Sequence, residues 1–314
     1  MKVAILDDYA DSVRTLDAFG KLDGHDVQIL DRTLPEAELA TRITDREALV
    51  LIRERTRVGA SLLERLPMLR LIVQTARIGP HVDVATCQAR GVAVAAGSGS
   101  PQTTAELTLA LMLAAMRGIV HENRKLREGH WQTMLGRSIR GRTVGIHGYG
   151  KIGRLVAKLV RAFGAEVLAF GREQSLAAAR DDGIAAAASA RALYAEADIV
   201  SLHLRLVSET RGLVNAEHLA AMRPDSLLVN TARAELIAPD ALLAALESGR
   251  PAMAALDVFE GEPAPDRRLI EHPRVLATPH LGYVEKTNYE HYFGEAFDHV
   301  NAFAAGTPTG LVTS

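Results

Sequence analysis

Short runs of consecutive apolar residues recur at 3–6, 27–30, 48–52, 69–73 and 92–94. Between them lie stretches such as 36–43 and 61–66, where apolar positions fall three or four apart. The first pattern predicts strands covered on both faces, and the second predicts amphipathic helices. Strands alternating with helices pair in parallel, because a parallel pair needs a crossover connection. A second series follows, with strands at 143–147, 166–170, 198–202, 227–230, 253–256 and 275–277. Its helices fit 151–163, 176–180, 190–195, 216–222 and 239–248, and a last helix runs over 285–305. The expected fold class is α/β, with doubly wound parallel sheets and six strands in the second.

The two series are separated at residues 97–101, GSGSP, a linker or sharp turn. Thr103 and Glu106 have the spacing of a capping box, which predicts a long helix through 107–116. Residues 121–141 are charged, contain three glycines and carry the only tryptophan, Trp131. They fit either an excursion between domains or an arm onto a second subunit.

A length of 314 residues fits two domains. With 48% hydrophobic and 24% charged residues the chain is ordinary for a soluble globular protein, which excludes disordered and low-complexity classes. A net charge of −2 gives no global field for nucleic acid or an anionic membrane, so neither is expected as a partner. Cys87, the one cysteine, excludes an intrachain disulfide and a multi-thiolate metal site, and reads as a small buried hydrophobe. No metal is expected. The apolar run 107–116 is too short to cross a bilayer as a helix, and the opening MKVAILDDY reads as a buried strand. The expected setting is cytoplasmic.

The predicted strand 143–147 leads into Gly148-Tyr149-Gly150-Lys151-Ile152-Gly153 and then a helix. This is the context a dinucleotide requires. Gly148 permits the tight turn, Gly150 lets a pyrophosphate approach the backbone, and Gly153 lets helix and strand pack closely. The helix N-terminus offers unpaired N–H groups to the phosphates. At the end of the second strand, where an acid would accept from a ribose 2′-hydroxyl, the chain has Gly171, then Arg172 and Glu173. Arg172 suits a 2′-phosphate, which favours NADP(H); Glu173 as a displaced acid keeps NAD(H) as the alternative.

Three later strands run into LVNTAR (228–233), LDVFEGEP (256–263) and TPHLGY (278–283). An arginine, a carboxylate and a histidine at the carboxyl edge of an open sheet suit hydride-transfer chemistry on an anionic carbonyl compound. The guanidinium can fork onto a carboxylate, the imidazole can carry a proton, and a neighbouring acid can orient the ring. Position before Pro263 favours Glu262 over Glu260 as that acid. His147 reads as a strand-end filler, His203 as a neighbour of the cofactor, and Arg53 and Arg55 either face the cleft or make surface pairs.

VGIHGYGKIG, LLVNTARAELI, LDVFEGEP and ATPHLGY stand in the order found in the D-isomer-specific 2-hydroxyacid dehydrogenases, which the chain resembles over nearly its whole length. The likeness is of the glyoxylate/hydroxypyruvate reductase kind. It implies catalysis by Arg233, Glu262 and His280 in a cleft between two Rossmann-like or flavodoxin-like domains. It implies cofactor contacts from Thr104, Gly148, Tyr149, Gly150, Lys151, Ile152, Gly153, Arg172, His203, Thr231, Ala232 and Asp257. Arg77, Ile78, Gly79 and Tyr283 would contact substrate, with Arg233 and His280. The implied division is 1–99 plus 285–314 for the substrate domain and 100–284 for the dinucleotide domain. A homodimer built on helix 103–117 and the 121–141 arm is also implied. The chain departs from the family pattern at Gly171, at Ala76 and Ile78 in the substrate loop, and at Ala234. Two other readings stand beside the dehydrogenase: a dinucleotide-sensing corepressor-like protein, which would be expected to carry partner-binding tails, and a formate- or phosphite-type dehydrogenase.

Overall fold

In the computed structural model, which describes residues 1–313, the chain forms two compact units. One comprises Met1–Ser100 and the segment from Val284 onward; the other is Pro101–Tyr283.

The first unit carries strands β1 (Lys2–Leu6), β2 (Asp26–Ile29), β3 (Ala48–Leu51), β4 (Leu71–Gln74) and β5 (Ala93–Ala96). They pair in the order β2-β1-β3-β4-β5, all parallel. Every residue of β3 and β4 is buried, which explains their unbroken apolar runs. The helix Lys286–Ala304 belongs to this unit, and buries Tyr289, Phe293, Phe297 and Val300 along one stripe. Phe297 meets Phe19 edge-on, their ring centroids 6.3 Å apart.

The second unit carries β6 (Thr143–His147), β7 (Glu166–Phe170), β8 (Ala185–Ala186), β9 (Ile199–Leu202), β10 (Leu227–Asn230), β11 (Met253–Leu256) and β12 (Val275–Ala277). Their order is β12-β11-β10-β9-β6-β7-β8, again all parallel. Chain order reverses between β6 and β9, the switch point where doubly wound sheets receive ligands. The sheet has seven strands rather than the expected six. The seventh, β8, is two exposed alanines at an edge, too short to leave a pattern.

The helix Pro101–Arg117 lays Ala105, Thr108, Leu111, Met112, Ala115 and Met116 into the core. It starts two residues before the expected cap. Proline has no N–H to lose in a first helical turn and its φ is already helical, so Pro101 starts the helix and Thr103 lies inside it. Gly118, at φ +61°, bends the chain by 56° into a second helix, Ile119–Arg127. A Cβ on Gly118 would come within 2.2 Å of the Met134 sulfur, so glycine is required there by space as well as by conformation. Among the described residues no single helix is long and apolar enough to cross a membrane.

Candidate active site

The turn after β6 is built by its glycines. Gly148 sits at φ +101°, and a Cβ there would lie 2.8 Å from the His203 carbonyl carbon. Gly150 ends the turn in extended geometry and precedes the helix Lys151–Ala162, whose N-terminus receives no side-chain cap. Nothing lies within 4 Å of where a Gly150 Cβ would project. Open space thus faces a helix end whose first N–H groups lack side-chain acceptors, which is what a pyrophosphate needs. Gly153 is tighter: its Cβ would stand 2.3 Å from the Gly148 carbonyl oxygen. Gly153→Ala should therefore spread the turn and weaken dinucleotide binding about tenfold, read by fluorescence titration. Affinity equal to wild type would show that the turn has slack.

Tyr149 is buried, and its hydroxyl donates to Asp182 at 2.9 Å, so its side chain points into the fold. Burial pushes the phenol up to about 12. Arg172 is exposed at the N-terminus of the helix Glu173–Asp181. Glu173, the displaced acid of the NAD(H) alternative, is paired with Arg180 at 2.7 Å. A Cβ on Gly171 would make only ordinary contact, 3.5 Å from Ser175 Cβ.

His147 is a buried filler as expected; its Nδ1 lies 3.1 Å from the Tyr194 hydroxyl, and burial lowers its pKa to about 4. His203, at the end of β9, pairs with Ser201 Oγ at 2.9 Å, and burial lowers it to about 3. Both rings stay neutral at neutral pH, so neither supplies positive charge to the neighbouring turn.

Arg233, Asp257 with Glu262, and His280 follow β10, β11 and β12, three adjacent strands ending on one edge. Two strand spacings, about 10 Å, separate the outer pair, a span that an arginine arm largely covers. Asn230 shapes the first loop. Its amide donates to the Arg233 carbonyl at 2.9 Å and accepts from Ala232 N–H at 3.0 Å. Thr231 meets Thr108 hydroxyl to hydroxyl at 2.8 Å, tying the loop to the Pro101–Arg117 helix. Arg233 donates to the Ala232 carbonyl at 2.7 Å.

Asp257 is fully buried and gathers the histidine segment around itself. Its carboxylate accepts from Thr278 Oγ1 at 2.6 Å, Leu281 N–H at 2.7 Å and Gly282 N–H at 2.8 Å. Burial pushes the carboxyl pKa up, while these donors favour the anion. Thr104 donates to the Gly282 carbonyl at 2.9 Å. Thr104 and Asp257 thus both shape the loop that carries His280.

His280 itself lies at φ +55°, an uncommon conformation for a residue with a side chain, which turns the ring out of the loop. Its Nδ1 meets Glu262 Oε2 at 2.6 Å, and Glu262 Oε1 accepts from Phe259 N–H at 2.7 Å. The carboxylate is held at one end and orients the imidazole with the other. Both side chains remain accessible, 25% exposed for His280 and 32% for Glu262. Tyr283 is buried and packs edge-on against His280 with centroids 5.3 Å apart, a support for the ring. Glu260 makes no such approach, so the choice of Glu262 agrees with the geometry. Sequence reasoning missed Asn230, Thr108 and Thr278. Asn230 and Thr278 stand inside the recognised motifs, and their position at strand ends was the available signal.

In the first unit, Arg77, Ile78 and Gly79 follow β4. Ala76 lies at φ +60° with its side chain buried, and Arg77 is exposed. His81 Nε2 lies 3.0 Å from Gln74 Oε1, which braces the loop. Arg55 stands 4.4 Å over the Tyr9 ring and donates to the Asp7 carbonyl at 2.6 Å, an intramolecular role. Among the described residues no group of three or more His, Cys, Asp or Glu could hold a metal ion.

A family model, the NAD binding domain of D-isomer specific 2-hydroxyacid dehydrogenases, matches residues 109–282. The chain is 39% identical over 264 residues to D-3-phosphoglycerate dehydrogenase of Mycobacterium tuberculosis H37Rv, covering 83% of this chain and 48% of that one. It is 35% identical to glyoxylate reductase of Aeropyrum pernix, over 92% of this chain and 90% of that one. A crystal structure of phosphoglycerate oxidoreductase from Vibrio cholerae O395 superposes with a TM-score of 0.95 at 47% identity, covering 98% of this chain and 99% of that one. The chain spans about half the length of the phosphoglycerate dehydrogenases it matches.

Proposed function

Because the chain belongs to the D-isomer specific 2-hydroxyacid dehydrogenase family, we propose that it interconverts small 2-oxo acids and D-2-hydroxy acids with a nicotinamide dinucleotide. The observation that carries this is the Glu262–His280 pair at 2.6 Å, facing the same sheet edge as Arg233. When bound, the dinucleotide supplies or accepts the hydride. Gly148, Gly150 and the first turn of the Lys151–Ala162 helix would hold its pyrophosphate, since the open cradle fits that group.

The chain's own residues do the rest. With Nδ1 donated to Glu262, the opposite ring atom of His280, Nε2, carries the proton to the carbonyl oxygen as reduction proceeds. Glu262 fixes the orientation of the ring beforehand through its bond to Nδ1. Arg233 pairs with the substrate carboxylate and offsets charge developing on the carbonyl oxygen. Arg77, Ile78 and Gly79 are proposed as the substrate-selecting segment on their motif. A pure dinucleotide sensor has no need of a poised proton donor, so the pair favours an enzyme.

The direct test is loss of reduced-nicotinamide absorbance with glyoxylate, hydroxypyruvate, its 3-phosphate, pyruvate and bulkier 2-oxo acids. No turnover of any, with either cofactor, would remove the proposal. For the cofactor we propose a preference for NADP(H), because Arg172 is exposed beside Gly171 while Glu173 is committed to Arg180. Arg172→Asp should shift the NADPH-to-NADH ratio of kcat/KM by about a hundredfold toward NADH. Wild type favouring NADH outright would end this reading.

We also propose a homodimer. Ile119, Val120, Leu126, Trp131 and Leu135 leave apolar surface exposed along the helix Ile119–Arg127 and the loop after it. Light scattering at micromolar concentration should give twice the 33.8 kDa chain mass; a monomer would refute it.

A further inference from the structure

Beyond the sheet edge that carries His280, the second unit contains a cavity of about 260 Å³ that no part of the proposed reaction uses. Its walls are apolar: Ile237, Leu242, Leu243, Leu256, Val258 and Leu269. Its mouth is charged. Arg268 pairs with Asp266, two residues before it, at 2.6 Å and with Asp240 at 3.1 Å. Glu260 adds a third carboxylate on the same lining. Three carboxylates and one guanidinium therefore stand on the lining. The Arg268 pairs are more than half exposed, and such surface pairs hold weakly, so exchanging them is easy.

We propose that this cavity is a second ligand site, for a small organic cation with an apolar body. The volume falls just short of the usual range for ligand pockets, about 300–1,000 Å³, which restricts the occupant to a single-ring molecule rather than a peptide segment. The apolar walls take the ring, and the surplus of carboxylates at the mouth takes the charge.

An occupant here acts on the catalytic loops, because the same residues line both. Asn230, on the cavity lining, holds the Ala232–Arg233 backbone with both ends of its amide. Phe259, also on the lining, donates the N–H that fixes Glu262. Displacing Phe259 moves the carboxylate that orients His280. Binding itself does not depend on the dehydrogenase reading, and its test does not require turnover.

The probes are phenethylammonium, 2-phenylethanol and 3-phenylpropanoate, which share one aromatic body and differ in charge. They are titrated into the full chain with methyl-labelled Ile, Leu and Val, watched by NMR. The expected result is saturable shifts at Ile237, Leu243 and Leu269, with the ammonium binding about tenfold tighter than the carboxylate. Glu260→Gln should narrow that preference. Leu243→Trp should fill the cavity and abolish the shifts while dinucleotide affinity, measured by fluorescence, is kept. Should Leu243→Trp fail to fold, the wild-type charge series and Glu260→Gln decide alone. Equal binding of all three probes, or shifts that spare these methyls, would overturn the proposal.

Discussion

His280→Ala is expected to lower kcat for 2-oxo acid reduction about a thousandfold, with dinucleotide affinity unchanged. The loss is expected in kcat because the ring's task is to deliver a proton as the carbonyl oxygen gains charge. It is not a contact made equally in the ground state. The loop survives the change, since its shape is set by Asp257 receiving Thr278, Leu281 and Gly282, and none of these bonds uses the imidazole. Glu262→Gln should lose less, about tenfold to a hundredfold, because an amide oxygen still accepts from the ring but makes a weaker bond than a carboxylate and orients it less firmly. Steady-state kinetics with a fluorescence-determined dinucleotide Kd separates these effects. A His280→Ala enzyme with kcat within about tenfold of wild type would assign the proton to another group.

Arg233→Ala should cost about a hundredfold or more in kcat/KM, divided between a raised KM and a lowered kcat. The divided effect follows from two tasks: pairing with the carboxylate present in substrate, and offsetting charge that exists only as the reaction proceeds. Arg233→Lys should restore part of the binding but little of kcat, because an ammonium cannot address two oxygens in a plane. The backbone here is secured by Asn230 rather than by the arginine side chain, so the variants should fold normally. If Arg233→Ala raises KM alone, the arginine only anchors substrate and the polarising role falls.

The strands were legible because a parallel sheet covered on both faces demands consecutive apolar residues; 143–147, 166–170, 227–230, 253–256 and 275–277 coincide with observed strands. The strand Ala185–Ala186 was not legible, since two exposed alanines at an edge carry no burial signal. The short helices Val84–Ala89 and Arg267–Ile270 were missed for a related reason, being too brief to show a period. At the site, the glycine turn and the Arg, Glu and His residues were readable because their chemistry is tied to residue type. Thr104, Tyr149 and Tyr283 were read as ligand contacts. The structure gives their side chains intramolecular partners as well: Thr104 donates to the Gly282 carbonyl, Tyr149 donates to Asp182, and Tyr283 packs edge-on against His280. Such side-chain supports depend on which loops the sheet brings together, and spacing along the chain does not reveal that.

The order of strands has a further consequence for how the protein can diverge. Arg172 follows β7 and His280 follows β12, five strand intervals away, roughly 24 Å at ordinary sheet spacing. Substitutions that far apart with no common partner are close to independent in their effects. If Arg172 and His280 have the roles proposed for them, a lineage can exchange one redox pool for the other at one flank of the sheet without retuning the acid–base apparatus at the opposite flank. The architecture separates the two traits, so each can be inherited and altered by itself.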